Sequence, residues 1–390
     1  MVRLPVFLLL LTAAAALPAW AQIQPRSLQT IDDPRGEFSL SLRMNTNVDV
    51  TFRDVGTLGN AQTIGDQWSE MNRFYDDGSV AMDQRRASDG TDFPDDGRTN
   101  TWRMGYASQV IDEDGDGLGD GVAFHRYSTE SRGTSVEVDS SEIPGIDLDY
   151  SYAFGRFGGR LRNQSPRLTW GGQAGLGLSS INAKTSAIIN TTLIMDEDRY
   201  SLDGAKPPTG PYTAPSSQTT SDTDPNGNPI SNTIDTTILL ANRPYYRSLG
   251  EETVGGAPIN GYWQVRGGAV TARGGVWLRY RPFERLALRA GLGLTASYVG
   301  LTMRYDERLN FEQQLTPLRH RSETTPDKST FFGAYGTLDA ELWLSPTTGL
   351  FIGASYEKVD EAIDIPLDGR TAEVRLGAGT GFRLGFTKLF

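Results

Sequence analysis

Cysteine is absent from the 390 residues and only two histidines are present, His125 and His320. Thiol catalysis, cysteine-ligated zinc or iron–sulfur sites, disulfides and a lipid-modified cysteine anchor are therefore ruled out. His320-Arg321-Ser322 sets an imidazole two residues from a hydroxyl, but on a stretch that reads as loop, without the fixed geometry nucleophilic catalysis needs. Asp147-Leu148-Asp149 places two carboxylates on one face of a strand. Asp112, Asp114, Asp116 and Asp120 occupy the first, third, fifth and ninth positions of a calcium loop, with Gly117 at the sixth. Position twelve is Ala123 where the bidentate Glu belongs, and a turn built of Asp-Gly pairs accounts for the same residues. Calcium is the one cofactor the sequence suggests. No catalytic constellation is complete, so the expectation is a protein that is not an enzyme.

The elements that would position these groups are strands. Hydrophobic residues make up 38 %, too few for a polytopic helical membrane protein, while 44 Gly, 15 Tyr and 16 Phe suit strands and turns. The net charge of −11 argues against nucleic acid as a partner. Residues 1–21 read as a secretory signal peptide: Arg3 leads, Val6 to Leu17 is apolar apart from Thr12, and Ala19-Trp20-Ala21 fits a signal-peptidase site. Residues 22–390 are then one exported domain.

In the last segment Val374, Leu376, Ala378, Thr380, Phe382, Leu384, Phe386 and Phe390 alternate with Arg375, glycines and Arg383. A period of two over such a length exceeds the usual strand of a soluble domain. Similar alternation marks 286–304, 331–344, 146–157 and 168–183, each long enough to cross a bilayer as a tilted strand. A spanning sheet must close on itself, because hydrocarbon offers no partner to an open edge. The segments number about ten: 37–50, 99–110, 121–129, 146–157, 168–183, 262–280, 286–304, 331–344, 350–359 and 374–390. Short connectors alternate with longer ones, 51–98, 130–145, 184–261, 305–330 and 360–373, which would be external. An eight-strand reading would demote 121–129, whose alternation is poor. Twelve result if Ala187–Met195 and Ile234–Leu240 form a hairpin, although they read better as strand extensions above the membrane.

This alternation assigns Arg43, Arg103, Arg279, Arg289, Arg375 and Arg383 to the lumen, with Asp147, Asp149, Asp339, Glu341 and Glu357. The near balance of charge predicts a salt-bridged, largely closed interior with no single-sign ring to select an ion. Trp102, Tyr106, Trp170, Tyr280 and Tyr356 suit interfacial girdles, with Trp343 an inward exception. The Pro-, Ser- and Thr-rich run 205–237 reads as mobile surface, and the Asp-rich run 76–98 as a solvated acidic rim that could bridge to lipopolysaccharide through a divalent cation.

The terminal strand, ending Phe382-Arg383-Leu384-Gly385-Phe386-Thr387-Lys388-Leu389-Phe390, resembles the closing strand of Gram-negative outer-membrane β-barrels. That resemblance implies that Phe382, Leu384, Phe386 and Phe390 form the signal read by the barrel-assembly machinery, and that outer-membrane lipid and lipopolysaccharide surround the protein. The Asp147/Asp149 pair resembles one half of the omptin protease site, but the opposing Asp-x-His is missing: Ala123 and Leu318 precede the two histidines at that spacing. The His-x-Ser spacing at His320 resembles that of outer-membrane acyl hydrolases. The expectation is an all-β, transmembrane, antiparallel up-and-down barrel with long external loops, acting in envelope structure or surface interaction, with a small-solute or hydrophobic-compound channel as the alternative. A surface hydrolase, which would require His125 or His320, is the third reading.

Overall fold

The computed structural model describes residues 35–60, 64–115, 119–157, 168–223, 229–311, 318–324 and 327–390. Residues 1–21, read above as a signal peptide, lie outside them, as does Asp116. Eight antiparallel strands form a ring: β1 Gly36–Arg53, β2 Ser135–Phe157, β3 Leu168–Ser201, β4 Tyr246–Tyr280, β5 Leu286–Leu309, β6 Asp327–Trp343, β7 Thr348–Leu367 and β8 Arg370–Leu389. Each pairs with the next in sequence, and β8 pairs with β1 from Glu37↔Leu389 to Arg53↔Thr371, so no edge is left open. Among the described residues no helix is long and apolar enough to cross a membrane; crossing is by strands.

Among the described residues the ring holds eight strands, the lower of the expected counts, rather than ten. Gly121–Glu130 is a strand, but it pairs with the far end of β3 (Gly121↔Ser201, Glu130↔Thr192) outside the ring. Residues 99–110 contribute only Trp102–Met104 to a small sheet with Gly78–Val80 and Tyr212–Thr213. Ala187–Met195 continues β3, as expected of a strand extension, whereas Pro229–Asp235 forms a separate hairpin with Ser217–Thr223. Residues 360–373 are not a long loop: β7 and β8 run on to a two-residue Asp368-Gly369 turn, both with positive φ, the geometry a tight hairpin requires.

The ring has two storeys. In the lower one, next to the chain ends and short turns, the outward side chains are apolar and exposed: Leu40 and Leu42 on β1, Leu176 and Leu178 on β3, Leu292 and Leu294 on β5, Phe382 and Leu384 on β8. On β4 this belt runs from Val270 to Tyr280, about 25 Å along the axis for strands tilted by about 40°. Trp170, Tyr280 and Tyr356 lie exposed on it, as girdle residues should. In the upper storey the phase of the chemistry reverses. Ile181 and Ala183 point inward and Asn182 and Lys184 outward on β3; Trp263 and Val265 point inward and Arg266 outward on β4. There the interior is an apolar core of Val48, Phe52, Trp263, Val299, Met303 and Tyr305 and their neighbours, not the polar lumen expected throughout.

On β1 and β8 the reversal involves a slip in register, since Thr46 pairs with Thr380 but Val48 with Leu376. Val374 and Leu376 are thereby buried inside, while Arg375 stands exposed on the outer wall. A single alternation carried through 374–390 therefore misplaces the first part of the strand.

Above the ring, the connectors after β1 and β3 fold together into a cap. Its core contains Tyr75, Trp102, Met104, Phe124, Tyr200 and Leu240. The run 205–237 is partly built into it: Ala214 is buried, and the Ile238 carbonyl just beyond accepts a hydrogen bond from Trp102 Nε1 at 2.8 Å.

Candidate functional site

Inside the lower storey, inward side chains of the strands meet in three neighbouring groups of ion pairs. Arg273 grips Asp147 with both terminal nitrogens, at 2.8 and 2.9 Å. Arg43 contacts Asp147 at 3.5 Å and Glu357 at 2.8 Å. Arg279 reaches Glu37 and Glu341, each at 2.7 Å, and Arg289 reaches Glu37 at 3.0 Å while donating to Ser151 and Gln173. Arg383 joins Asp149 at 3.0 Å and Asp339 at 3.6 Å. Arg279 and Arg289 also lie over the ring of Trp277, at 5.1 and 4.8 Å. Trp343 is inward and buried, as its exceptional position suggested.

Space for these long groups comes from inward glycines. A Cβ on Gly177 would stand 2.6 Å from Asp147 Oδ1 and 3.0 Å from Arg273 Nη2, and one on Gly353 would collide with Asp339. The Gly/Arg face of the sequence is thus one device: glycine on one strand leaves room for a charged pair anchored on its neighbours.

Nine of the sequence-assigned lumen residues meet here: Arg43, Asp147, Asp149, Arg279, Arg289, Asp339, Glu341, Glu357 and Arg383. Two do not. Arg103 is exposed in the cap, because 99–110 is not a ring strand. Arg375 is on the outer wall, 2.5 Å from Glu373, because of the register slip. Glu37 and Arg273 belong to the network and were missed, although each shares strand parity with a residue already assigned, Glu37 with Arg43 and Arg273 with Arg279.

The upper opening is covered by residues 55–58. Val55 and Leu58 are buried, and the Gly56 amide donates to Glu307 at 3.1 Å. Glu307, fully buried, also accepts from Trp263 Nε1 at 2.7 Å and from Arg370 at 2.6 and 3.0 Å; Arg370 donates in turn to the Thr57 carbonyl. A buried carboxylate with this many donors holds the covering segment to the barrel wall.

The groups with chemical potential outside the lumen are dispersed. His125 is in the cap, its Nδ1 2.7 Å from Asp77 and its Nε2 3.7 Å from Glu197. Burial raises the Asp77 carboxyl above its usual range, opposed by the His125 contacts, and raises Asp76, which accepts from the Tyr127 amide at 2.6 Å. These two therefore turn inward, while Asp83 and Asp96 pair with Arg85 in the exposed part of the run. His320 and Ser322 lie on a short strand, Arg319–Glu323, paired with β5, rather than in a loop. The His320 Nδ1 is 2.7 Å from the Tyr305 hydroxyl, which donates to Asp368 at 3.1 Å, and Ser322 lies beside Asp368. Asp112, Asp114 and Asp120 converge to within 4.8 Å of one another on the cap surface. Trp102, placed in a girdle by the sequence, is instead buried in the cap, as Tyr106 is in part. At the chain end Phe382, Leu384, Phe386 and Phe390 face outward, and Phe390 stacks on Phe38 at 5.3 Å.

A closed antiparallel ring, apolar outside and charged inside over one bilayer thickness, with short turns at the end of the chain termini, defines an integral membrane β-barrel of the outer-membrane type. No family model and no curated protein matches the chain. Solved structures similar to it include the outer membrane protein OprG of Pseudomonas aeruginosa (9 % identity, 92 % of this chain and 97 % of that one, TM-score 0.27). Others are the outer membrane protease OmpT of Escherichia coli (10 %, 93 % and 99 %, TM-score 0.26) and the attachment invasion locus protein Ail of Yersinia pestis (10 %, 90 % and 99 %, TM-score 0.21). The superpositions are loose, and the class rests on the chain's own ring and belt.

Proposed function

We propose that this protein is a non-conducting, non-enzymatic outer-membrane barrel that holds a folded cap above the membrane, acting in envelope structure or surface interaction. The observation that carries the reading is the filled interior. A water path would have to cross the ion pairs of the lower storey, the packed core around Trp263 and Phe52, and the segment pinned by Glu307 and Arg370. An eight-stranded ring is narrow enough for its own side chains to fill. The extended wall supports the second half of the reading, since β3 continues from Ser180 to Thr191, roughly 30 Å along the axis, before its last part, Thr192–Ser201, joins the cap. Planar-bilayer recording of the purified protein tests it. The expected trace is flat; steady openings in the wild type would reject the reading in favour of a small-solute or hydrophobic-compound channel.

A further inference from the structure

The outer wall just above the belt is polarised. Around β3 to β6 the topmost exposed belt residues are Leu178, Val270, Tyr298 and Phe332. Leu178, Val270 and Tyr298 share one cross-strand row. Lys328 stands opposite Gly300, one outward position above that row. Arg266 follows two outward positions above Val270, and Lys184 and Arg304 flank Gln264 in the next row. Two strand spacings separate Lys184 from Arg304, about 10 Å.

Arg266 is paired with Glu323 and Arg304 has Asp306 and Glu323 beside it, but among the described residues neither Lys184 nor Lys328 forms a salt bridge, and Arg304 forms none shorter than 4.0 Å. The opposite wall differs at the same level. There Asp49, Glu137, Glu361 and Asp364 are exposed, and both Arg53 and Arg375 are tied to Glu373. A chain with a net charge of −11 thus keeps a basic arc on one quadrant, about 5 to 15 Å above the belt on the cap side, at headgroup depth.

We propose that Lys184, Arg266, Arg304 and Lys328 form a binding site for the phosphate groups of lipopolysaccharide in the outer leaflet. Charge complementarity selects the ligand: cations at a membrane border gain from anionic headgroups, and their stems lie along apolar surface while the heads seek phosphate. The leaflet follows from polarity, because the arc lies on the side of the belt away from the chain ends and short turns. Arginine offers paired donors to phosphate oxygens and lysine a mobile point charge, so a phosphorylated sugar headgroup spread over four strands suits the mixture.

The test titrates purified lipopolysaccharide, its dephosphorylated form and inorganic phosphate separately into the protein in neutral detergent. The readout is the temperature at which the heat-modifiable gel band shifts, which rises with any ligand bound to the folded barrel. The wild type should respond to lipopolysaccharide and much less to the other two. K184Q/R266Q/R304Q/K328Q should need at least about tenfold more, given roughly a fivefold gain per cation at a membrane surface. R53Q/R375Q on the opposite wall should change less than about twofold. If the quadruple variant does not fold, K184Q/K328Q, which alters two exposed side chains, should still need several-fold more. No response of the wild type, an equal response to dephosphorylated lipopolysaccharide, or unchanged titration in the arc variants would each overturn the proposal; a response to inorganic phosphate alone would reassign the arc to a simple anion site.

Discussion

Arg273→Met probes the lumen at its most buried point. Asp147 has no solvent exposure, and Arg273 supplies its two short contacts, at 2.8 and 2.9 Å. After the substitution the carboxylate keeps only Arg43 Nε at 3.5 Å, and Arg43 is already committed to Glu357 at 2.8 Å. Removing one partner of a buried pair strands the other charge and costs about 3–5 kcal/mol. Methionine retains most of the side-chain volume, so little of the loss comes from packing. The companion D147N/R273M removes both charges and should recover most of that loss, since neutral replacement of a buried pair is close to neutral in free energy. Urea unfolding in detergent, followed by tryptophan fluorescence, gives both numbers. If Arg273→Met costs less than about 1 kcal/mol, as an exposed pair would, or if the double variant is as unstable as the single one, the buried network is not what organises the lumen.

Three further substitutions probe other parts of the account. Gly177→Ala places a methyl group 2.6 Å from Asp147 Oδ1 and should destabilise the barrel by about 1–3 kcal/mol in the same urea assay. Arg370→Ala leaves Glu307 buried without its guanidinium partner; hydrogen exchange should become markedly faster at residues 55–58 while the belt strands stay protected. In the cap, the raised Asp77 carboxyl binds a proton in the folded state at a pH where the unfolded chain has released it. Its contribution to stability is therefore present below the ordinary value of 3.8 and lost as pH rises through the raised one. Asp77→Asn should flatten that part of the pH dependence of cap unfolding, measured as protease susceptibility of residues 73–130 between pH 4 and 7; an unchanged slope would remove Asp77 from the explanation.

The barrel was legible in the sequence wherever one chemistry held one face. Leu286 to Ser297 and Phe332 to Leu344 keep an unbroken alternation in the belt, and their inward residues Arg289, Asp339 and Glu341 followed from parity alone. What was not legible depended on events outside the alternation. The register slip near Thr380 leaves no mark in a string of Gly, Ala and Thr, so Arg375 and Val374 were exchanged between faces. The reversal from apolar-outside to apolar-inside keeps period two, so Ile181 and Ala183 could not be told from lipid-facing residues by period. The cap core assembles short segments far apart in sequence, Trp102 with Ile238 and Tyr75 with Asp198, and no local pattern reports such meetings. Gly121–Glu130 is a strand by propensity and pairing, and only its partner, the far end of β3, decides that it is not part of the ring.

The account depends most on the reversal of the wall between its two storeys, and the absence of native cysteine makes that directly measurable. Single spin labels at Leu176→Cys, Leu294→Cys and Leu384→Cys, reconstituted in bilayers, should be relaxed by oxygen and shielded from a water-soluble nickel chelate. Labels at Asn182→Cys, Lys184→Cys and Arg304→Cys should show the opposite. A lipid-like signature continuing up the wall through residues 182 and 304, or a water-like one at residue 294, would contradict it.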